Sequence, residues 1–269
     1  MPAMSGIRIP DPFPADGPGL RLLLLGGTVE ARLVAQELRE LPGIQVLTSL
    51  AGRNPGAPLP PGPVRVGGFG GEQGLADFLA GTGVGAVLDA THPFAQRITA
   101  HAALACHRAQ VPLLVLRRPA WTPVPGDRWV RVPDLSAAAA TAAALEPGTV
   151  LLTTGRTGLH LFATDPHHHY LARVLDPAQE GGPPGIELIA RNGADGVDDE
   201  VALFRRHEVC ALVTKDSGGP ATAAKLHAAR RLALLVILVD RPPLPPQVTV
   251  VDSAPDALAW IRGLLEHRP

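Results

Sequence analysis

The chain has 269 residues, 46% of them hydrophobic, with 24 Lys and Arg against 25 Asp and Glu, and two cysteines. That length and apolar content suit one large or two small α/β domains with a real core, and exclude a disordered chain. A formal net charge of −1 speaks against a nucleic-acid or membrane-surface partner.

Taken in chain order, the first segment, "MPAMSGIRIPDPFPADGPG", has prolines where a signal peptide needs an apolar run, so residues 1–18 read as a loose extension of a cytoplasmic protein. "LLLL" (22–25) reads as a buried strand and 29–40 as a helix, with Gly26 and Gly27 at the junction. Bare backbone at a helix start suits an anion, because the N–H groups and the helix dipole point the same way. The pattern is not G-x-G-x-x-G, so an ordinary tight turn stays open as the alternative. The next strand, "IQVLTSL" (44–50), runs into "TSLAGR". A NAD-binding fold usually carries an acid there, for the ribose 2′-hydroxyl. This chain instead offers the hydroxyls of Thr48 and Ser49 and the guanidinium fork of Arg53, a set that suits a 2′-phosphate, unless Arg53 is simply a surface residue.

"VRVGGFGG" (64–71) precedes a helix at 72–80 and puts four glycines around Phe69. So bare a backbone lets a flat ligand approach at Gly67 and Gly68, with Phe69 either flanking a base or plugging the core. "GAVLDATH" (85–92) precedes a helix at 95–109. Asp89 and His92 are placed to make an acid–imidazole pair, and Thr91 and His92 equally fit as caps of the helix starting near Pro93. "VPLLVLRRP" (111–119) follows. This alternation of strand and helix predicts a parallel sheet with helices on both faces.

The order then starts again. "VLLTTGRTGLHLF" (150–162) repeats the strand, small-residue turn and helix of "LLLLGGTVEARLV". At a constant offset of 123, Thr91 meets Thr214, Thr99 meets Thr222, Arg108 meets Arg231, and the "RP" at 118–119 meets that at 241–242. After each "RP" come a proline-containing loop, a strand ("RWVRV", "VTVV") and a helix (134–145, 254–265). The pattern predicts an internal duplication: a dinucleotide-binding domain at 19–133, a substrate-side domain at 134–269, and a cleft between them. Open α/β sheets bind ligands beyond the carboxyl ends of their strands. In the second half those loops are "TTGR" (153–156) and "TKDSGG" (214–219). Lys215, which the offset aligns with His92, shares its residue type only with Lys225. With Ser217 and the N–H groups near Gly218 and Gly219, it suits a carboxylate. "DPHHH" (165–169) looks like a metal cluster, but adjacent side chains do not converge on one ion, and no metal is expected. Cys106 and Cys210 both read as buried, reduced and inert. The longest apolar stretch, Leu232–Val239, is far short of the roughly 20 residues a membrane helix needs. No G-x-S-x-G or H-E-x-x-H occurs, which argues against a hydrolase.

Together, "LLLLGGTVEAR", "TSLAGR", "VGGFGG", "DATHPFA", "VPLLVLRRPAW", "LLTTGR", "VTKDSGGPATAAKLHAAR" and "DRP" resemble the precorrin-6A reductases of cobalamin biosynthesis, including the cobalt-precorrin-6A branch. They span about residues 21–242 in the right order. One stretch departs: where similar proteins carry Gly-Pro-Phe before an acidic helix start, this chain has "RNGADGVDDE" (191–200), and no role is assigned to the 191–197 loop. The resemblance implies two Rossmann-like domains with parallel sheets and a nicotinamide cofactor, NADPH with NADH as the alternative. It implies hydride delivery to one carbon of a ring double bond in a tetrapyrrole-derived macrocycle, with a proton added to the neighbouring carbon. Gly26, Gly27, Thr28 and Glu30 then belong to the pyrophosphate turn. Ser49, Arg53, Gly67, Gly68, Phe69, Thr91 and His92 line the rest of the cofactor, and His92 is a candidate proton donor with bulk water as its rival. Arg156, Arg173, Arg191 and Lys215, with Ser217, Gly218 and Gly219, face the substrate's carboxylates. A methyltransferase of the same pathway is disfavoured by the Ser49/Arg53 pair, since a methyl donor has no 2′-phosphate. A two-domain solute-binding protein is disfavoured by the lack of a signal-like start. The oligomeric state is not legible.

Overall fold

The structure, a computed structural model, describes residues 12–13, 19–52, 58–175, 181–190 and 196–267. The first elements are β1 (Leu20–Leu25), α1 (Val29–Arg39), β2 (Ile44–Leu50), β3 (Val64–Val66), α2 (Gly71–Thr82), β4 (Ala86–Asp89), α3 (Gln96–Ala109) and β5 (Leu113–Leu116). Then come β6 (Arg128–Val132), α4 (Leu135–Ala143), β7 (Thr149–Leu152), β8 (His169–Val174), β9 (Ile186–Ala190) and α5 (Val197–Arg206). The last are β10 (Val209–Lys215), α6 (Ala224–Arg231), β11 (Leu235–Val239), β12 (Thr249–Val251) and α7 (Ala254–Glu266). The helix expected after β7 is only a 3-10 turn, Leu159–Leu161, entered through Gly158 in the left-handed region.

The leucine run is apolar throughout because β1 is covered on both faces. Side chains alternate across a sheet. Leu20, Leu22 and Leu24 pack with Val34 and Leu38 of α1 and Ile261 of α7. Leu23 and Leu25 pack with Leu75 and Leu79 of α2 and Ala102 of α3. Leu22, Leu23 and Leu24 are wholly buried, and burial of each leucine contributes about 1.5–3 kcal/mol. A second core of the same kind joins Leu151, Leu171, Leu212 and Val236 to Val201 and Phe204 of α5 and Leu226 of α6.

One six-stranded sheet has the order β3-β2-β1-β4-β5-β12 and the other β9-β8-β7-β10-β11-β6, with every described pairing parallel. Both therefore share the doubly wound order that reverses between the first and fourth strands. The sixth strand of each, however, comes from the other half of the sequence. β12 completes the first sheet beside β5, and β6 completes the second beside β11. One compact unit accordingly comprises the described residues up to Arg118 with those from Pro243 on, and the other Pro119–Pro242. This differs from a division at 133/134. A repeat in sequence says that two sheet edges are alike; it does not say which copy of the sixth strand closes which edge.

The duplication also carries a shift. Arg117 N–H donates to Val251 O and Asp240 N–H to Val132 O, both at 2.8 Å, so the residues just past β5 and β11 correspond at 240 − 117 = 123. Asp89 pairs with Val115 and Thr214 with Leu238, so at β4 and β10 the offset is 214 − 89 = 125. Lys215 therefore stands at the place of Ala90, not of His92 (215 − 125 = 90).

Candidate active site

In the first unit the ends of β1 to β4 carry the turns singled out above. Gly27 has φ +113°, a conformation L side chains rarely adopt, and a Cβ there would meet nothing within 4 Å. Gly26 is small for a different reason: its Cβ would lie 3.0 Å from Thr48 Cγ2. Thr28 is the extended N-cap of α1, with Oγ1 accepting from Ala31 N–H (3.1 Å) and donating to Ala90 O (2.7 Å). One hydroxyl thus closes the helix start and ties it to the end of β4. Glu30, in the first turn, is ion-paired with Arg118 at 2.7 Å, so its charge is already balanced within the unit.

Ser49 is buried at the end of β2, and its Oγ accepts from Arg65 Nη1 at 2.8 Å. Arg65 also donates from Nη1 to Gly67 O and from Nη2 to Gly68 O, both at 3.0 Å. Its guanidinium lies 3.8 Å from the centre of the Phe69 ring, and burial pulls its pKa below the usual arginine value. Phe69 meets Phe78 edge-on at 5.1 Å and packs on the core, so it is the plug and the floor under Arg65. The Thr48 hydroxyl is buried without a hydrogen-bond partner among the described residues. Arg53 lies outside the described residues.

Asp89 does not pair with His92. Its Oδ1 accepts from Thr91 N–H (3.0 Å) and Thr91 Oγ1 (2.7 Å), and its Oδ2 from Thr99 Oγ1 (2.6 Å). The buried carboxylate thereby holds the 89–95 turn, and Thr91 serves it. His92 is exposed, its Nδ1 accepting from Phe94 N–H at 3.2 Å. A neutral ring in that arrangement keeps its proton on Nε2.

The corresponding loops of the second unit are cross-braced by side chains. Lys215 Nζ donates to Thr154 O at 2.7 Å, across the ends of β10 and β7. Asp216, fully buried, accepts from Trp121 N–H (3.1 Å) and Arg131 Nη2 (2.8 Å), while Arg241 Nε donates to its backbone oxygen (2.8 Å). Ser217 Oγ meets Thr222 Oγ1 at 3.0 Å. Gly218 has φ +65° and no room: a Cβ would stand 2.1 Å from both Arg241 Nη2 and Pro119 O. Gly219 O accepts from Trp121 Nε1 at 3.0 Å. Arg156 is partly exposed after β7. Arg173 is different: it grips buried Glu200 with both Nη atoms at 2.7 Å, so its fork is occupied and it holds α5 to β8. Arg191 and most of the 191–197 loop lie outside the described residues.

The remaining singled-out residues are structural. His168 of "DPHHH" is buried between Asp165 Oδ2 (2.6 Å) and Glu146 O (3.1 Å), and Tyr170 Oη donates to Asp165 Oδ2 (2.8 Å). Burial pushes Asp165 up, but the bonds from His167 N–H, Tyr170 and His168 outweigh it and hold the carboxyl below its ordinary range. Burial, then the charge of Asp89, pushes the Cys106 thiol up to about 12, which suits an inert core residue. Cys210, by contrast, is exposed, because it occupies an outward position of β10. Among the described residues no group of three or more His, Cys, Asp or Glu could hold a metal, and no helix is long and apolar enough to cross a membrane.

Sequence reading missed Arg65, Asp216 and the arginines that brace it. Arg65 had a legible signal, an isolated cation two residues before the first glycine of the glycine-rich turn. Asp216 had none, because its partners are Trp121, Arg131 and Arg241, far away along the chain. The first unit fits a dinucleotide: a positive-φ glycine open to space, an orphaned buried hydroxyl and a neutral-liganded arginine, all at the strand ends where such cofactors bind.

Residues 21–262 match the family model described as precorrin-6x reductase CbiJ/CobK. A precorrin-6A reductase from Rhodococcus erythropolis is 48% identical over 251 residues, covering 92% of this chain and 99% of that protein. One from Rhodobacter capsulatus is 44% identical over 247 residues, covering 91% and 94%. A cobalt-precorrin-6A reductase from Priestia megaterium is 30% identical over 233 residues, covering 82% and 90%. The solved structure of a CobK precorrin-6A reductase superposes with a TM-score of 0.83 at 40% identity, covering 91% of this chain and 97% of that one.

Proposed function

The chain belongs to the precorrin-6x reductase CbiJ/CobK family, an oxidoreductase family of cobalamin biosynthesis, and on that premise we propose that it reduces a ring double bond of cobalt-free precorrin-6A with NADPH. The metal-free substrate is favoured by relatives at 42–48% identity named precorrin-6A reductase, against 28–30% for those named cobalt-precorrin-6A reductase. When bound, the cofactor supplies the hydride. The chain's own residues bind, orient and protonate. The observation that carries the cofactor assignment is the open, positive-φ Gly27 ahead of a capped helix at the switch point of the first sheet. Gly26, Gly27 and Thr28 hold the pyrophosphate. Ser49, with Arg53 on the segment that follows, faces the adenosine ribose, and Gly67, Gly68 and Thr91 line the approach.

The substrate bears many carboxylates, and the second unit is its side in this reading. Arg156, Lys215 and the Ser217–Gly219 segment receive them. Arg173 is left out, because Glu200 occupies its fork. His92 is the proposed source of the proton that completes the reduction, giving it up as the imidazolium and returning to the neutral ring, with bulk water as its rival. His92→Gln should then lower kcat about a hundredfold while leaving cofactor affinity intact; unchanged turnover would assign the proton to water. The deciding experiment is anaerobic incubation with precorrin-6A and cobalt-precorrin-6A, each with NADPH and NADH. Turnover of precorrin-6A with NADPH is expected, and consumption of neither cofactor with either macrocycle refutes the reading.

A further inference from the structure

Arg65 is held differently from three other partly buried arginines. Arg118, Arg173 and Arg230 each face a carboxylate, Glu30, Glu200 and Asp127 respectively, at 2.7–2.8 Å. Among the described residues, Arg65 faces only neutral acceptors: the Ser49 hydroxyl and the carbonyls of Gly67 and Gly68. Burial alone displaces its pKa, and no acid contributes to the shift. One face of the guanidinium is covered by Phe69 at 3.8 Å. These bonds use both N–H groups of Nη1 and one of Nη2, and no described residue takes the Nε–H or the second Nη2–H, which lie on neighbouring nitrogens. Two adjacent donors on a planar, immobilised, partly desolvated cation match two oxygens of one phosphate. The place is right as well: Ser49 is the last residue but one of β2, the strand whose end reads the adenosine ribose in dinucleotide folds.

We propose that Arg65, held in place by Ser49 and the Gly67–Gly68 carbonyls, binds the 2′-phosphate of the cofactor and sets the choice of NADPH over NADH. The proposal rests on the nicotinamide reading above. It deepens that reading by naming a residue the sequence did not suggest. The contact to Ser49 gives the hydroxyl a positioning part: it orients the guanidinium so that the free edge is presented.

The test is direct binding, without turnover. Isothermal titration of the whole protein and of Arg65→Ala and Arg65→Lys would use NADPH, NADH, adenosine 2′,5′-bisphosphate and 5′-AMP. Losing a charge-assisted pair should weaken NADPH and the bisphosphate roughly tenfold to a hundredfold in Arg65→Ala, with NADH and 5′-AMP within about twofold. Should Arg65→Ala fail to fold, Arg65→Lys decides: a reduced NADPH-to-NADH affinity ratio supports the proposal and an unchanged ratio overturns it. Equal weakening of all four ligands would mean that Arg65 only braces the glycine turn. A raised KM for the macrocycle with both cofactors bound normally would assign its free edge to a substrate carboxylate. If the unaltered protein binds no nicotinamide nucleotide, the cofactor reading itself fails. If it prefers NADPH and Arg65→Ala keeps that preference, only the assignment to Arg65 falls.

Discussion

The two units wind six parallel strands in one order, yet they furnish the ends of those strands in opposite ways. At the first switch point the chain presents bare backbone and hydroxyls, and the nearby guanidinium of Arg65 meets no acid among the described residues. At the second, Lys215 reaches across to Thr154 O and Asp216 is clamped by Trp121 and Arg131, with Arg241 on its backbone oxygen. Even the glycines differ. Gly27 opens onto space, whereas Gly218 is a glycine because Pro119 O and Arg241 already fill the place of a side chain. The same topology therefore makes two different surfaces. What distinguishes them is the few residues after each strand, and whether their charges are satisfied from within.

The sharpest way to break the contrast is Asp216→Ala. Removing a buried carboxylate leaves the Trp121 N–H without its acceptor and Arg131, 42% exposed, with Asp240 alone, and a loss of about 3 kcal/mol is expected. Thermal and denaturant unfolding should register it. A loss below about 1 kcal/mol would show that the brace is incidental. Next in size is Gly27→Val. The backbone conformation should cost the fold only about 1–3 kcal/mol, while NADPH affinity should fall by at least about a hundredfold, or roughly 2.7 kcal/mol. Normal NADPH titration of this variant would make the turn purely structural.

Lys215→Ala probes the second surface. A lost charged contact predicts a rise in the macrocycle KM of about tenfold with NADPH affinity unchanged, and a lower kcat if the contact also orients the acceptor carbon. Weakened NADPH with an unchanged macrocycle KM would mean that the roles of the two units are the reverse of those proposed. The smallest effect is one of pH. Asp165 is depressed in the folded state, so its contribution is present above the ordinary carboxylate pKa and is lost as pH falls through the folded value. Stability measured down through the acid range should therefore decline, and Asp165→Asn should flatten that decline. An identical slope in the variant would assign the acid sensitivity to other groups.

How much was legible follows from how local each signal is. β2 and β6 match "IQVLTSL" and "RWVRV" residue for residue, and α1, α2, α3 and α7 fall within two residues of their expected ends, because apolar period, caps and glycines act over a few positions. The site was legible in the same measure. The glycine turns and Ser49 were visible from composition at strand ends, whereas Arg65 went unread because its meaning lies in folding back onto Ser49. The acid–imidazole pairing of Asp89 failed since Thr91 and Thr99 are closer claimants, Thr99 from one turn into α3.

By itself, then, the sequence determined two doubly wound parallel sheets, their near-repeat and the family to which the loops belong, since alternation and motif spacing are properties of consecutive residues. Only the tertiary structure decided that β12 closes the first sheet and β6 the second, that the repeat slips from 123 to 125 between β11 and β10, and that Arg173 is held by Glu200 while Arg65 meets no acid among the described residues. The physical reason is common to all three. Which equivalent edge a strand completes, and which opposite charge a cation finds, depend on distances between segments far apart in the chain, and no local pattern of residues encodes those distances.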